Sequence, residues 1–461
     1  MLALYLHIPF CQSKCHYCAF NSRPLPAGGE GAALLHSYLE ALRRELQLTA
    51  QNQTSDSSRQ SSGKKGIGSA NASQRLTAAG ARPAKTGTPA RLPASEQGRL
   101  RSIYFGGGTP TILDSSYLNS LLALSKSFFQ WDDSIEITVE ANPATVTRAG
   151  LAELRQAGVN RLSLGAQSFR PSELQLLGRI HGASDIDAAC RDARAAGFTN
   201  LNLDLIYGLP GQTPDGWREN LQRALDLGLE HLSAYGLKLE VGTPLAEDVA
   251  AGKLPECGED QQVEMWYETQ RLVSAAGLER YEISNYARPG RESRHNLAYW
   301  LNLSYLGLGA GASGHVPAMR AQESVVSSPE SGARRRNWRN QSQPESDDGR
   351  PTTDDQMVRY TNHEDAARYI ASVERGELPR AWKELQTSEQ ERADTVMMGL
   401  RLTGGLERKA FEERFGDPFE FFYGSQLDLM ERDGLMGESA ESVFLTERGL
   451  LLSNYVLAHF I

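Results

Sequence analysis

Cys11-Gln12-Ser13-Lys14-Cys15-His16-Tyr17-Cys18 places three thiols within eight residues, directly after the apolar, strand-like segment 2–8. Three cysteine thiolates can hold three irons of a 4Fe-4S cluster and leave the fourth iron open to a small-molecule ligand. C-x2-C pairs also bind zinc, but zinc takes four ligands and the sequence offers no matching second pair. The segment therefore predicts an iron-sulfur cluster held by Cys11, Cys15 and Cys18.

The C-x3-C-x2-C spacing after a first strand, with Tyr17 before the third cysteine, resembles the radical S-adenosylmethionine (SAM) superfamily. In that superfamily SAM binds the open iron through its amino and carboxylate groups, and the fold is a six-stranded partial (β/α) barrel. The sequence Tyr5-Leu6-His7-Ile8-Pro9-Phe10-Cys11 is similar to the branch that contains oxygen-independent coproporphyrinogen III dehydrogenases and haem chaperones. The resemblance implies a 4Fe-4S cluster and SAM as cofactors.

Composition indicates a globular protein with one large and one smaller domain. The chain has 461 residues, of which 40% are hydrophobic, and a net charge of -9 argues against nucleic acid as the main partner. Its five cysteines do not suggest a disulfide framework, and the sequence ahead of Cys11 leaves no room for a secretion signal. We therefore expect a cytoplasmic protein without a membrane-spanning helix; whether it is a monomer or a dimer stays open.

Strand-like and helical patterns alternate six times in the first half of the chain, which predicts an α/β fold with a parallel sheet. The strand-like segments are 2–8, 102–105, 135–140, 161–169, 200–210 and 231–237. Together with the family resemblance, this alternation predicts a radical SAM partial (β/α)6 barrel with its closing segment over residues 1–316.

Two polar segments interrupt this pattern. Residues 51–98 lack aromatics and carry more basic than acidic side chains, which predicts a disordered basic insertion. A solvated loop, a contact with nucleic acid and a peripheral contact with an acidic membrane are its alternatives. Residues 317–355 form a second polar insertion, in which no motif indicates a chemical function.

Residues 381–461 have helical patterns followed by a strand pair, which predicts a smaller α+β domain. This segment resembles the winged-helix-like C-terminal domain of the same branch. Because it lacks a basic recognition face, we expect it to dock on the barrel or on a partner and not on DNA.

Polar residues at the carboxyl ends of the predicted strands indicate where a ligand binds, because barrel ligands sit at that edge. The segment Gly106-Gly107-Gly108-Thr109 follows the second strand, and glycine allows close approach of the backbone to a ligand. Arg179 suits the methionine carboxylate of SAM. Any one of these residues could instead make an ordinary capping or surface contact. The resemblance implies SAM contacts by Tyr5, Tyr17, Gly107, Gly108, Thr109, Glu140, Gln167, Arg179 and Asp204.

The segment His295-Asn296-Leu297-Ala298-Tyr299-Trp300 is similar to a segment proposed to take part in haem binding in the chaperone members of the branch. Imidazole is a common axial ligand of haem iron, and Tyr299 and Trp300 can pack on the macrocycle. The alternative is that His295 only hydrogen-bonds within the closing segment of the barrel.

Two functions compete, and the cysteine motif distinguishes them. In the dehydrogenases a fourth cysteine follows two residues after the third and an N-terminal extension precedes the motif; here Phe20 occupies that position and the chain starts too close to Cys11. We therefore expect a haem chaperone that binds haem and transfers it to acceptor proteins, with no catalytic residue assigned. The alternatives are an oxygen-independent coproporphyrinogen III dehydrogenase, which catalyses an oxidative decarboxylation, and a structural adaptor.

Overall fold

A mixed sheet of twelve strands forms the centre of the part of the chain that the structure describes. The structure, a computed structural model, describes residues 2–60, 99–318 and 356–461. Its strands are β1 (Leu2–Ile8), β2 (Phe10–Cys11), β3 (Arg23–Pro24), β4 (Leu100–Gly107), β5 (Glu136–Ala141), β6 (Arg161–Gln167), β7 (Leu201–Tyr207), β8 (His231–Gly236), β9 (Glu279–Arg280), β10 (Asn285–Ala287), β11 (Ser304–Leu308), β12 (Ser313–Pro317), β13 (Met357–Asn362), β14 (Arg380–Leu385), β15 (Leu406–Glu407), β16 (Met436–Glu438) and β17 (Ser442–Leu445).

Helices follow most of the parallel strands and cover the sheet. They are α1 (Gly28–Gln60), α2 (Ser115–Phe128), α3 (Arg148–Ala157), α4 (Pro171–Leu176), α5 (Ala183–Ala195), α6 (Pro214–Asp226), α7 (Pro244–Ala250), α8 (Glu259–Ala275), α9 (Arg294–Trp300), α10 (Ala366–Glu374), α11 (Ser388–Gly399), α12 (Arg408–Phe415), α13 (Phe419–Arg432), α14 (Glu447–Leu451) and α15 (Ser453–Leu457). Short 3-10 helices span Pro110–Ile112 and Pro143–Thr145.

Six parallel strands lie side by side in chain order, β1-β4-β5-β6-β7-β8. This arrangement confirms the predicted partial (β/α)6 barrel. On the free side of β1 lies a further parallel strand, β11, followed by the antiparallel strands β12, β13 and β14. On the other side, β10 and β9 extend the sheet beyond β8. Apolar strand residues and one face of helices α1, α2, α3, α5 and α6 form one core, as expected for a parallel sheet covered by helices.

Local signals set the ends of the covering helices. The side chains of Thr147 and Thr213 accept hydrogen bonds from backbone N–H groups at the beginning of α3 and α6. Helix α3 ends at Gly158, whose φ of 111° lies in the left-handed region that glycine adopts without strain. These local signals therefore fix where α3 begins and ends and where α6 begins.

The structure corrects several predicted boundaries. Helix α1 continues to Gln60, so residues 51–60 belong to a helix and not to the predicted disordered insertion. The rest of that insertion, and residues 319–355 of the second one, lie outside the described residues. The predicted domain start at 381 falls inside β14, which pairs with β13 in the main sheet. This strand was missed because the second insertion separates it and β13 from the rest of the barrel sequence.

The C-terminal unit is the predicted small α+β domain and begins with α11. Its three-stranded sheet has the order β15-β17-β16, and its helices share a second core with Trp266 of the barrel helix α8. Backbone N–H of Thr403 donates to the carbonyl of Tyr281, and Arg414 donates to the carbonyl of Asn302. The domain therefore docks on the barrel. No helix among the described residues is long and apolar enough to cross a membrane.

A buried carboxylate connects α1 to the strands added beyond β11. Glu45 is fully buried and accepts hydrogen bonds from Asn362 (2.8 Å), Tyr369 (2.7 Å) and the backbone N–H of Gly309 (2.8 Å). The guanidinium of Arg380 lies 3.3 Å from the same carboxylate. Since both oxygens accept from donors, the side chain joins a helix, a loop and the two strands that the insertion separates from the barrel.

The inner side of the barrel is polar near the amino ends of β7 and β8. His231 is fully buried and lies 2.6 Å from Oδ1 of Asn202 and 2.9 Å from the hydroxyl of Tyr281. The amide of Asn202 donates to Oδ1 of Asp204 at 2.8 Å. Burial, and secondly the charge of Arg161, hold the pKa of His231 well below its ordinary value, so the ring is neutral.

We predict that Glu45→Gln lowers the free energy of unfolding by about 3–5 kcal/mol, because the amide nitrogen would face donors and Arg380 would lose its counter-charge. The measurement is a urea or thermal unfolding midpoint. Glu40→Gln is the matched control, because Glu40 lies on the same helix in an exposed pair with Arg43 and should change stability by less than about 1 kcal/mol. Equal effects of the two substitutions would contradict a structural role for the buried carboxylate.

A second prediction concerns acid stability. Unfolded histidine takes up a proton near pH 6.5, whereas folded His231 stays neutral, so its contribution to stability is present above about pH 6.5 and is lost progressively below it. His231→Gln keeps a donor and an acceptor but does not titrate. Between pH 7.5 and 5.5 this variant should lose less stability than the parent, by up to about 1.4 kcal/mol per pH unit. Parallel pH profiles of the two melting temperatures would argue against a neutral buried ring.

Candidate functional site

A cavity of about 590 Å³ opens at the carboxyl ends of the parallel strands. All three cysteines of the motif line it, together with all nine residues predicted to contact SAM. Most of these residues come from strands β1, β4, β5, β6 and β7 or from the loops that directly follow β1 and β4, whereas Arg179 lies between α4 and α5. The structure therefore brings the sequence-predicted cofactor residues to one place.

The cysteine loop is held against the barrel by backbone hydrogen bonds. The N–H of His16 donates to the carbonyl of Leu177, and the carbonyl of His16 accepts from Leu245. Lys14 donates to the carbonyls of Phe20 and Ser22, both at 2.8 Å, which closes the loop after Cys18. These contacts fix the path of the loop in the absence of any bound group.

The surroundings of the thiols fit an iron-sulfur cluster. Arg179 lies 3.3 Å from the sulfur of Cys15, and the hydroxyl of Thr109 lies 3.6 Å from that of Cys11, so both sulfurs face hydrogen-bond donors. Among the residues that the structure describes, no three His, Cys, Asp or Glu side chains converge on a single-ion position. The three thiols line one cavity, so each is placed to bind one iron of a cluster there.

Glycines give the cavity its shape where β4 ends. Gly107 has a φ of +115°, and a Cβ there would lie 2.4 Å from the ring of His7. A Cβ at Gly108 would lie 2.5 Å from the carbonyl oxygen of Phe10 and 3.0 Å from the sulfur of Cys11. Only glycine fits at these positions, so the backbone can approach both the cysteine loop and a ligand beside it.

Two half-buried carboxyl groups line the cavity wall. Glu140 accepts from the hydroxyl of Tyr104 (2.7 Å) and the backbone N–H of Gly107 (3.0 Å), and burial raises its pKa to about 7. Asp204 accepts from Asn202 (2.8 Å) and Ser163 (3.4 Å), and burial raises its pKa as well. Such carboxyl groups can accept hydrogen bonds from ribose hydroxyls and ammonium groups, which fits SAM.

Gln167 and Arg179 complete the polar wall. Gln167 adopts a left-handed backbone (φ 66°), which is uncommon for a residue other than glycine, at the end of β6 where the pairing with β7 shifts. Strain of this kind often marks ligand sites. Arg179 donates to the carbonyl of Gly165 at 2.6 Å, while its Nε is buried without a partner. The residues present therefore fit both SAM and the cluster.

The three residues predicted to contact haem do not lie together at the cavity. His295 and Tyr299 line its base, but Trp300 does not, and its ring packs 4.9 Å from the guanidinium of Arg401. His295 is buried and hydrogen-bonds with Ser102 at 2.9 Å and with Tyr299 at 3.0 Å. Burial lowers its pKa to about 3. Both ring nitrogens are thus engaged, so iron ligation would require the ring to leave one partner.

Sequence reasoning missed several residues that line the same cavity. Tyr104 was not assigned, although its strand register beside Tyr5 follows from pairing β1 with β4. Arg161, a charged residue that starts an otherwise buried strand, was also overlooked. Phe20 lines the mouth of the cavity and is 71% exposed. The unusual position of a charge at a buried strand could have pointed to Arg161, whereas only the fold shows Phe20 at the mouth.

Comparisons with known proteins agree with this geometry. The family model of the radical SAM superfamily matches residues 91–224, and that of the HemN C-terminal domain matches residues 386–452. Among solved structures, the coproporphyrinogen III oxidase HemN from Escherichia coli, a radical SAM enzyme, has a TM-score of 0.69 at 21% identity. The match covers 100% of this chain and 89% of that chain, which shows a shared fold.

Relatives at higher identity are named heme chaperone HemW. The protein from Bacillus subtilis (strain 168) is 31% identical over 462 residues, which cover 100% of this chain and 99% of that protein. The protein from Mycobacterium tuberculosis (strain ATCC 25618 / H37Rv) is 36% identical over 69% of this chain and 70% of its own length. The chain therefore belongs to the HemW family within the radical SAM superfamily.

Proposed function

We propose that this protein is a haem chaperone, which binds haem and transfers it to acceptor proteins. Cys11, Cys15 and Cys18 would hold a 4Fe-4S cluster, and SAM would bind at the open iron. The main supporting observation is that the three cysteines and all nine predicted SAM contacts line one cavity. In addition, a relative that matches the whole chain is named heme chaperone HemW. The haem function itself is supported by the names of relatives.

Different residues of this chain would bind different groups of SAM. Arg179 suits the methionine carboxylate, and Glu140 and Asp204 suit the amino group and the ribose hydroxyls. The Gly107 and Gly108 backbone would let the ligand approach the cysteine loop. When bound, a reduced cluster supplies the electron that can cleave SAM.

Dehydrogenase activity is the second candidate, supported by the fold shared with HemN. Against it, the position of the fourth cysteine in the dehydrogenase pattern is Phe20, whose ring is exposed at the cavity mouth. An exposed aromatic ring there offers an apolar surface and no thiol chemistry. We infer that the protein acts in the cytoplasm as a carrier.

The chaperone proposal predicts that anaerobically purified protein with a reconstituted cluster binds haem near one to one and forms no protoporphyrinogen IX from coproporphyrinogen III. The measurements are an absorbance titration with haem and a parallel turnover assay in which an authentic dehydrogenase is the positive control. Cys15→Ala should lose the cluster, and Cys190→Ala, which removes a buried thiol remote from the motif, should keep it. Turnover to protoporphyrinogen IX would overturn the carrier function.

A separate prediction tests the haem contact at His295. If His295 ligates iron, His295→Ala should weaken haem binding at least about tenfold and change the haem absorption spectrum, because an axial ligand is lost. His315→Ala is the matched control, since this second buried histidine is not among the cavity-lining residues. Unchanged affinity and spectrum in His295→Ala would leave the ring in a structural role with Ser102 and Tyr299.

A further inference from the structure

Tyr104 is a direct hydrogen-bond partner of a carboxyl group that lines the cavity. Its hydroxyl donates to Oε1 of Glu140 at 2.7 Å, and the backbone N–H of Gly107 donates to Oε2 at 3.0 Å. A carboxylate oxygen can accept more than one hydrogen bond, so these two donors orient the group and leave each oxygen able to accept from a ligand. Burial raises the pKa of Glu140 to about 7, and the hydrogen bond from Tyr104 opposes this rise. The position of the Tyr104 hydroxyl therefore affects both the orientation and the charge of Glu140.

The ring of Tyr104 in turn packs on the imidazole of His295. The two rings are stacked, with centroids 4.9 Å apart and an angle of 25° between their planes. Tyr5 packs near both rings, at 6.1 Å from Tyr104 and 6.2 Å from His295, and Tyr299 meets His295 edge-on at 5.1 Å. Packed aromatic rings restrict one another's orientation, so His295 limits the movement of the Tyr104 ring.

Hydrogen bonds to two strands and along its own helix hold His295 in place. Its Nδ1 lies 2.9 Å from the hydroxyl of Ser102 in β4, and its Nε2 lies 3.0 Å from the hydroxyl of Tyr299 in α9. Its backbone N–H donates to the carboxylate of Glu136 at the beginning of β5, at 3.1 Å. The imidazole is therefore fixed to β4 and β5, the two strands that carry the tyrosine donor and its carboxyl acceptor.

The chemistry of the imidazole suits a supporting role. Burial, and secondly the charge of Arg161, lower the pKa of His295 to about 3, so the ring is neutral at physiological pH. A neutral imidazole has one donor and one acceptor nitrogen, which the hydroxyls of Ser102 and Tyr299 can both satisfy. A phenylalanine would offer a flat ring but would leave these two hydroxyls unpaired. Histidine thus combines a flat face for stacking with two polar edges that fix the ring.

We propose that His295 is a positioning residue for SAM, which acts through Tyr104 on Glu140. The inference rests on the proposed SAM site and gives His295 a role other than haem ligation. The stacked imidazole holds the tyrosine hydroxyl against the carboxyl group, and the carboxyl group is thereby oriented to accept hydrogen bonds from SAM.

The test is a double-mutant cycle in SAM affinity, measured by anaerobic equilibrium binding of SAM to the cluster-loaded full-length protein. Tyr104→Phe removes the hydroxyl and should weaken SAM binding about tenfold, the size expected for one hydrogen bond to a charged group. His295→Ala should weaken it about 5- to 10-fold, because the hydroxyl is present but no longer held in place. In the Tyr104→Phe background, His295→Ala should cost less than about twofold, because no hydroxyl remains to be positioned.

A general packing role for His295 would give a different result. His295→Ala would then cost a similar factor in both backgrounds, and such additivity would overturn the proposal. His315→Ala is the matched control, because it removes another buried imidazole that is not among the cavity-lining residues. This control should keep SAM affinity within about twofold of the parent. A loss as large as that of His295→Ala would also overturn the proposal.

His295→Gln keeps the test decisive if the alanine variant does not fold. Glutamine retains a donor and an acceptor for Ser102 and Tyr299 but offers no ring to Tyr104. SAM affinity should therefore fall in this variant, while the cluster content and the melting temperature of the apo protein stay close to those of the parent. If His295→Gln binds SAM as tightly as the parent, the positioning role is wrong.

Failure of the positioning role and failure of the SAM site give different results. If the cluster-loaded parent binds no SAM, the proposed SAM site is wrong and the positioning role falls with it. If the parent binds SAM and His295→Ala binds it equally well, the positioning role is wrong and the SAM site stands. A changed haem spectrum in His295→Ala together with unchanged SAM affinity would indicate an iron ligand and would also overturn the proposal.

Discussion

The parallel pairing of β1 with β4 and β11 is the constraint on which the site depends. Because parallel strands end at the same edge, this register brings the loop after β1 beside the glycines after β4 and the polar ends of β5, β6 and β7. The cysteine loop has little regular structure of its own. Its position comes from backbone bonds to Leu177 and Leu245, which belong to later elements of the barrel. The position of the candidate cluster site therefore depends on the whole parallel sheet and on the elements that follow its strands.

The interior of the barrel is unusual for a packed core, because it holds charges and buried polar groups together. Glu140 and Asp204 keep hydrogen-bond donors on their oxygens, and His231 is linked to Asp204 through Asn202. Among the described residues, Nε of Arg161 and the hydroxyl of Thr138 have no hydrogen-bond partner. A protein can tolerate such groups where a ligand completes their hydrogen bonds, so the polar base of the cavity is typical of a ligand site.

The barrel and the C-terminal domain have the same fold as HemN. A shared fold does not fix the function, which depends on the residues at individual positions. Phe20 replaces a cysteine of the dehydrogenase pattern and presents an exposed ring at the cavity mouth. His295, in contrast, is a poorly available ligand because Ser102 and Tyr299 engage its nitrogens. The cavity thus has an exposed aromatic ring at its mouth and polar side chains at its base.

The sequence by itself determined the cysteine motif and the six-fold alternation of strand and helix, since both follow from local spacing, and the family resemblance implied the SAM-contact candidates. It did not reveal that β13 and β14 join the main sheet, because an insertion separates them from their neighbours. Only the tertiary structure showed that both nitrogens of His295 are engaged, that Trp300 is not among the residues that line the cavity, and that Arg161 lies near Glu140 and Asp204. Such facts depend on which side chains meet across distant strands, and that is decided by packing and register in three dimensions.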